Sequence, residues 1–270
     1  MQTTKLALFL SSLGLAILLT GCAGSNSMST STPPPTGNQA PGVYQGTLSN
    51  GDSFEAIVAP NDDLFAIYGT TSGATLTING FINGPGQENG NTYSVTTNDF
   101  YYTGSVITGT LTGTIAAGAS LNGTITEGST SLTFTDTVPP TSTFNYNTAA
   151  NLSSVTGTWS GFLLDGETAT VTIDSSGAIS GLSQFGCSFT GTAAADSSGK
   201  NFFDVSLTFG GAPCLIAGGT ATGIAIDALL SDGTTHELLA GVTTGAKSAG
   251  TVFIGTLSAA AKPAWPGEKQ

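Results

Sequence analysis

Few side chains in this 270-residue sequence are equipped for chemistry: one His, three Cys, 17 Asp and Glu, five Lys or Arg, and none of those five is Arg. A hydrolytic triad needs an imidazole base. The only one, His236, follows a hairpin signal in Thr235-His236-Glu237-Leu238 and shares an alternating strand face with Leu238, which makes it a structural or exposed side chain. No G-x-S-x-G elbow occurs. Lys200 follows Gly199, but Ala194 stands where a phosphate loop needs Gly and Asn201 where it needs Ser or Thr, so Asp196 to Gly199 reads as a hairpin tip. Two acidic pairs, Asp62-Asp63 and Asp165/Glu167, have the composition for glycosidase-type acid and base work. Both fall at turn signals, where carboxylates are ordinarily solvated. Zinc needs about four ligands, which Cys187, Cys214 and His236 do not supply, and no D-x-[DN]-x-[DN]-G calcium loop is present. The residue inventory points away from an enzyme and implies no cofactor and no metal.

Cys22 carries a different chemistry. Met1 to Lys5 holds one positive charge, and Leu6 to Leu19 is a 14-residue apolar stretch, shorter than the roughly 20 residues that span a bilayer as a helix. That is the pattern of a signal peptide over residues 1–21. Leu19-Thr20-Gly21-Cys22 resembles the lipobox of bacterial lipoproteins. The resemblance implies cleavage before Cys22 and acyl chains on it, which hold a protein at a membrane at about 0.8 kcal/mol per buried CH₂. Ala23 beside the lipidated Cys implies sorting to the outer membrane, with the surface and periplasmic faces both open. Residues 22–41 then read as a disordered tether rich in Pro, Ser and Thr. Export also favours a Cys187–Cys214 disulfide over two free thiols, worth roughly 3 kcal/mol on the chain-entropy account.

The rest of the chain must position whatever function there is. Gly (38) and 44 Thr make nearly a third of the residues, a mix that suits twisted strands and starves helices. The block from Gly42 through Tyr44, Gly46 and Gly51 matches Gly157, Trp159, Gly161 and Gly166 at an offset of 115. Gly109-Thr110-Leu111-Thr112-Gly113 matches Gly219-Thr220-Ala221-Thr222-Gly223 at an offset of 110, as does Gly123-Thr124 with Gly233-Thr234. Two copies of one small β-domain are implied, over 42–138 and 155–259, with a linker at 139–154 and a tail at 260–270. Alternation such as Phe203, Val205, Leu207 and Phe209 against Asp204, Ser206 and Thr208, with hairpin signals at Asn50-Gly51, Asp165-Gly166 and Asp232-Gly233, predicts about eight antiparallel strands per copy. The fold class is all-β, two tandem small barrels or sandwich-like domains. Large residues such as Phe203 and Phe209 on the inward row predict a filled second barrel.

A formal charge of −12 without Arg leaves no footprint for phosphate, so nucleic acid is excluded as a partner. The same charge would steer a cationic partner. In Phe100-Tyr101-Tyr102 the alternation is expected to bury Phe100 and Tyr102 and leave Tyr101 as a ring on a binding surface. Lipobox, tether and two Gly/Thr-rich β-domains together resemble the tandem β-domain outer-membrane lipoproteins of proteobacteria. In outline they are similar to surface lipoproteins that bind transferrin or complement regulators. The resemblance implies a lipid-anchored protein presenting two β-domains to a protein or glycan partner. The alternatives are a structural envelope or surface-matrix protein without a specific ligand, and an envelope glycan hydrolase using turn carboxylates.

Overall fold

A computed structural model describes residues 39–72, 75–116, 120–139, 143–230 and 232–257. The signal peptide, Cys22 with most of its tether, and the tail at 260–270 lie outside the described residues. The first barrel is built from β1 (Gly42–Leu48), β2 (Ser53–Val58), β3 (Leu64–Ser72), β4 (Thr75–Gly84), β5 (Gly86–Asn89), β6 (Thr92–Tyr101), β7 (Val106–Ala116), β8 (Ser120–Glu127) and β9 (Thr130–Thr137). All its pairings are antiparallel, in the order β4-β3-β2-β1-β9-β8-β7-β6-β5, and β4 also pairs with β6. That pairing closes the sheet. Gly80 to Asn83 of β4 lie against Tyr101 to Asn98, and Gly86 to Asn89 of β5 continue along the same neighbour against Val95 to Thr92. Pro85, which has no N–H to donate, separates the two segments, so β4 and β5 serve as one interrupted strand and the barrel has eight.

A short connection containing the helical turn α1 (Leu152–Val155) leads to β10 (Gly157–Leu163), β11 (Thr168–Ile173), β12 (Ala178–Ser183), β13 (Ser188–Ala195), β14 (Phe203–Phe209), β15 (Thr220–Leu229), β16 (His236–Thr243) and β17 (Gly250–Leu257). These eight form a second closed barrel. Closure settles the choice between barrel and sandwich and removes the strand edges on which a Thr-rich, weakly charged chain would aggregate.

The duplicated motif occupies the first strand of each barrel. Gly42 and Gly157 both open their strands, opposite Val58 and Ile173. Gly46 and Gly161 sit where the first strand crosses the last so closely that a Cβ would lie 2.0 Å from a carbonyl oxygen, of Thr135 in one barrel and Ile254 in the other. Only glycine fits there. The second block also corresponds, since β7 and β15 are the sixth strands of their barrels. Gly123 and Gly233 do not correspond: the first lies within β8 opposite Gly113, and the second in the β15–β16 turn. Val242, opposite Gly223, takes the place of Gly123. The first hairpin turns differ in type from the doubly left-handed turn that Asn-Gly and Asp-Gly suggest. Gly51 and Gly166 alone have positive φ, 94° and 80°, after a turn closed by their N–H groups on the carbonyls of Leu48 and Leu163. Asn50 and Asp165 instead accept from the amides of Asp52 and Glu167.

The barrels pack side by side. Val43, Ile57, Phe81 and Phe100 on the outside of the first meet Ile224, Leu239, Val252 and Ile254 on the outside of the second, and Phe144 and Tyr146 of the connection fill the same cluster. The fit is rings on glycines: a Cβ on Gly241 would lie 2.6 Å from the Phe81 ring, and one on Gly250 2.9 Å from the Phe100 ring. Two carboxyls share this seam. Glu237 is 1% exposed, and its burial, then the charge of Glu55, pushes its pKa up to about 9. Burial pushes Glu55 up to about 7. Lys247 brings a cation to the seam, donating to Asn83 across it and to Thr243 at 2.8 Å.

Candidate functional site

The interior of the second barrel is open. A cavity of about 310 Å³ runs down it, lined by Val171, Ile179, Phe189, Val205, Phe209 and Phe253 among others. This corrects the expectation of a filled barrel, and ring orientation is the reason. The Phe189 ring lies over Gly181, where a Cβ would be 2.1 Å from its Cζ, and the Phe253 ring lies over Gly255 at 2.5 Å. Rings laid along the wall line the axis without filling it. Ala193, Ala225 and Ala240 add little volume from the facing strands. At the lower end the cavity stops at Val155 of α1, whose carbonyl accepts from the Trp159 indole at 2.8 Å.

The upper end opens between Leu163 to Glu167 of the β10–β11 turn, the loop carrying Pro213 and Leu215, and the β6–β7 hairpin of the first barrel. The Cys187–Cys214 disulfide ties that loop to the start of β13. Leu215 and Tyr102 remain 58% and 55% exposed at the rim, and Phe185 nearby is 72% exposed. Isolated exposed apolar residues are ordinary, but a set gathered at the mouth of an apolar cavity marks a place for a ligand.

The hairpin that forms part of this rim also walls a second recess. Tyr101 and Tyr102 line the mouth of the first barrel, a cavity of about 360 Å³ that also includes Asp52, Tyr68, Asp99 and Glu127. Strand alternation puts Tyr93, Val95, Thr97 and Asp99 on the inward row of β6, and Tyr101 follows at its end. The Tyr68 hydroxyl donates to Asp99 Oδ2 at 2.7 Å, and the Tyr101 hydroxyl donates to Glu127 Oε2 at 3.1 Å. Asp52 accepts from Thr70, Asn79 and Asn50. Asp99 is 2% exposed, and its Oδ1 has no hydrogen-bond partner. Burial pushes its pKa up to about 7, the Tyr68 hydroxyl works against that, and the charge of Glu127 adds to it.

These positions reorder the expectation for Phe100-Tyr101-Tyr102. Phe100 is buried, but between the barrels rather than in a barrel core. Tyr101 is half-buried in the mouth, and Tyr102 is the exposed ring, because the strand ends at Tyr101 and Tyr102 already belongs to the turn. His236 lies at the opposite end of the second barrel, with Nδ1 2.8 Å from Asp227 Oδ1. The acidic pairs are engaged at turns: Asp63 accepts from Asn61 and Asp165 from the Glu167 amide within their own turns, and Glu167 accepts from the Phe185 amide of the β12–β13 turn. Among the described residues, no group of three or more His, Cys, Asp or Glu could hold a metal ion. Asp99 was readable from its place on the inward row, whereas reading acids as turn residues hid it.

No protein-family model and no curated protein sequence matches the chain. Among solved structures it is similar to the isotype 1 transferrin binding protein B from serogroup B Neisseria meningitidis. The TM-score is 0.24 and the identity 10%, over 80% of this chain and 66% of that one. At that TM-score the likeness decides nothing about the site, which rests on its own geometry.

Proposed function

We propose that this protein is a non-enzymatic, lipid-anchored outer-membrane lipoprotein that binds through its barrel mouths, with the second barrel receiving an apolar group of its ligand. The observation that carries the reading is the apolar cavity of about 310 Å³ opening at a rim of Tyr102 and Leu215. A cavity half that size holds a benzene ring, so this one suits roughly a dozen carbon atoms. The anchor is supported by Leu19-Thr20-Gly21-Cys22. In this reading the tether carries the barrels away from the bilayer, and acidic Asp165 and Glu167 at the rim favour a neutral or cationic ligand over an anionic one.

Titration calorimetry of the full chain with 1-decanol tests the binding. A saturable one-to-one heat is expected, lost in Ala240→Phe, which fills the cavity from β16, while the melting temperature holds. No heat, or the same heat in both proteins, would leave the structural envelope alternative in its place. The anchor is tested separately by membrane fractionation of a Cys22→Ala variant, expected to release the protein, with protease accessibility on intact cells to assign the face.

A further inference from the structure

We infer that the mouth of the first barrel is a site for an organic monocation, a primary ammonium or guanidinium group held by Asp99. The inference goes beyond the apolar reading of the second barrel and does not depend on it. Three carboxylates, Asp52, Asp99 and Glu127, line this recess, and no Lys or His is among its lining residues. Asp52 and Glu127 have donors from the protein, and Asp99 Oδ2 has the Tyr68 hydroxyl. Asp99 Oδ1 accepts no hydrogen bond, although the residue is 2% exposed and has Tyr101 and Glu127 beside it. A buried acceptor left without a donor costs free energy that a ligand N–H recovers. The recess of about 360 Å³ has room for a solvated side-chain head rather than for a bare ion alone. Tyr101 and Tyr102 stand at its wall, and aromatic rings attract an alkylammonium by cation–π contact. A metal ion is the poorer match, since the carboxylates do not come together as a ligand set.

The charge of the whole chain concentrates cations at such a mouth. Binding also couples to a proton. Asp99 is held up to about 7, so a cation arriving below that pH must displace a proton from it, and affinity rises with pH until the carboxylate is fully ionised. The groups facing Asp99 are Tyr68 from β3, Tyr101 from its own strand and Glu127 from β8, and none of them brings a positive charge.

The test is calorimetric titration of the full chain with methylammonium, with tetramethylammonium, and with an N-acetylated, C-amidated Gly-Lys-Gly peptide. Saturable binding of methylammonium is expected, at least tenfold tighter than tetramethylammonium, which has the charge but no N–H. Affinity should fall about fivefold between pH 7 and pH 6, and at least tenfold in Asp99→Asn. Glu127→Gln, on the rim, provides a second variant if Asp99→Asn fails to fold, and should weaken binding severalfold. The peptide binding more tightly than methylammonium would assign the group to a polypeptide partner's Lys, and the reverse to a free amine. Equal affinities for methylammonium and tetramethylammonium, or no binding of either amine at millimolar concentration, would overturn the inference. Ala240→Phe in the second barrel should leave all of these values unchanged, so failure here and failure of the apolar reading are distinguishable.

Discussion

The two barrels share a closure and differ in what they do with it. In the first, Tyr44, Tyr68 and Phe134 fill the middle around a void of only about 30 Å³, and its recess of about 360 Å³ is held at the mouth, beside Asp52, Asp99 and Glu127. In the second, phenylalanines and alanines line an axis that stays open at about 310 Å³. Both lay rings over glycines, Tyr68 over Gly80 in the first and Phe189 over Gly181 in the second. The difference therefore lies in what the ring carries. A tyrosine hydroxyl must find a partner when buried, so Tyr44 reaches the Ala40 carbonyl, Tyr68 reaches Asp99 and Tyr93 reaches the Asp62 carbonyl, each crossing the barrel or capping its end. A phenylalanine has no such demand and rests against the wall. The same closed eight-stranded frame occurs twice, and side-chain polarity decides which middle fills and which stays hollow.

The largest effect that would break this contrast comes from the seam. Glu237 is held at about 9 against an ordinary 4.5, so the folded state keeps a proton that the unfolded chain gives up. The stability tied to that proton is complete below pH 4.5 and is lost progressively up to pH 9, at about 1.4 kcal/mol for each pH unit between. Glu55 and Asp99, both held at about 7, and Asp136 at about 6 add to the lower part of the fall. Chemical denaturation across pH 5 to 9 should show stability falling by several kcal/mol. Glu237→Gln should recover most of the loss above pH 7. A flat profile would mean that the seam is wet.

Reducing the Cys187–Cys214 bridge, which joins residues 27 apart, should cost roughly 3 kcal/mol. It should loosen the rim of the second barrel alone, which hydrogen exchange of β13 against β3 would read. A pair of enlargements sharpens the interior contrast. Ala66→Leu in the packed barrel should destabilise by about 1–3 kcal/mol, whereas Ala240→Leu in the hollow one should cost less than about 1 kcal/mol and reduce 1-decanol uptake. Equal penalties would show the second barrel to be as tightly packed as the first. The smallest change is Tyr102→Ser, within about 0.5 kcal/mol of the parent in stability, with weaker ligand retention as its only expected mark.

Much of the frame was legible because it rests on period and spacing. The alternation at Phe203 to Phe209 is the burial pattern of β14, and the offset of 115 superposes the opening strands of the barrels residue for residue. The hollow was not legible. Phe203 and Phe209 do face inward, but the rings that lie flat, Phe189 on Gly181 and Phe253 on Gly255, each rest on a glycine, and for Phe189 that glycine is on the neighbouring strand, where pairing register is not written locally. The acidic mouth was half legible: Asp99 shares a row with Tyr93 and Val95, while Glu127 reaches the same recess from another strand. The seam was hidden for a related reason. Phe100 reads as a core residue, and nothing in the period of one barrel says that its outer face has a partner.

That seam also sets a timetable. Phe81 and Phe100 come to rest on Gly241 and Gly250, more than a hundred residues later in the chain. A first barrel that closes before the second shows this apolar stripe until its cover has folded. During that interval the available substitute is the same stripe on another copy. The local concentration of newly delivered chains, more than any property of the finished molecule, would then govern how much of the product is lost to pairing between strangers.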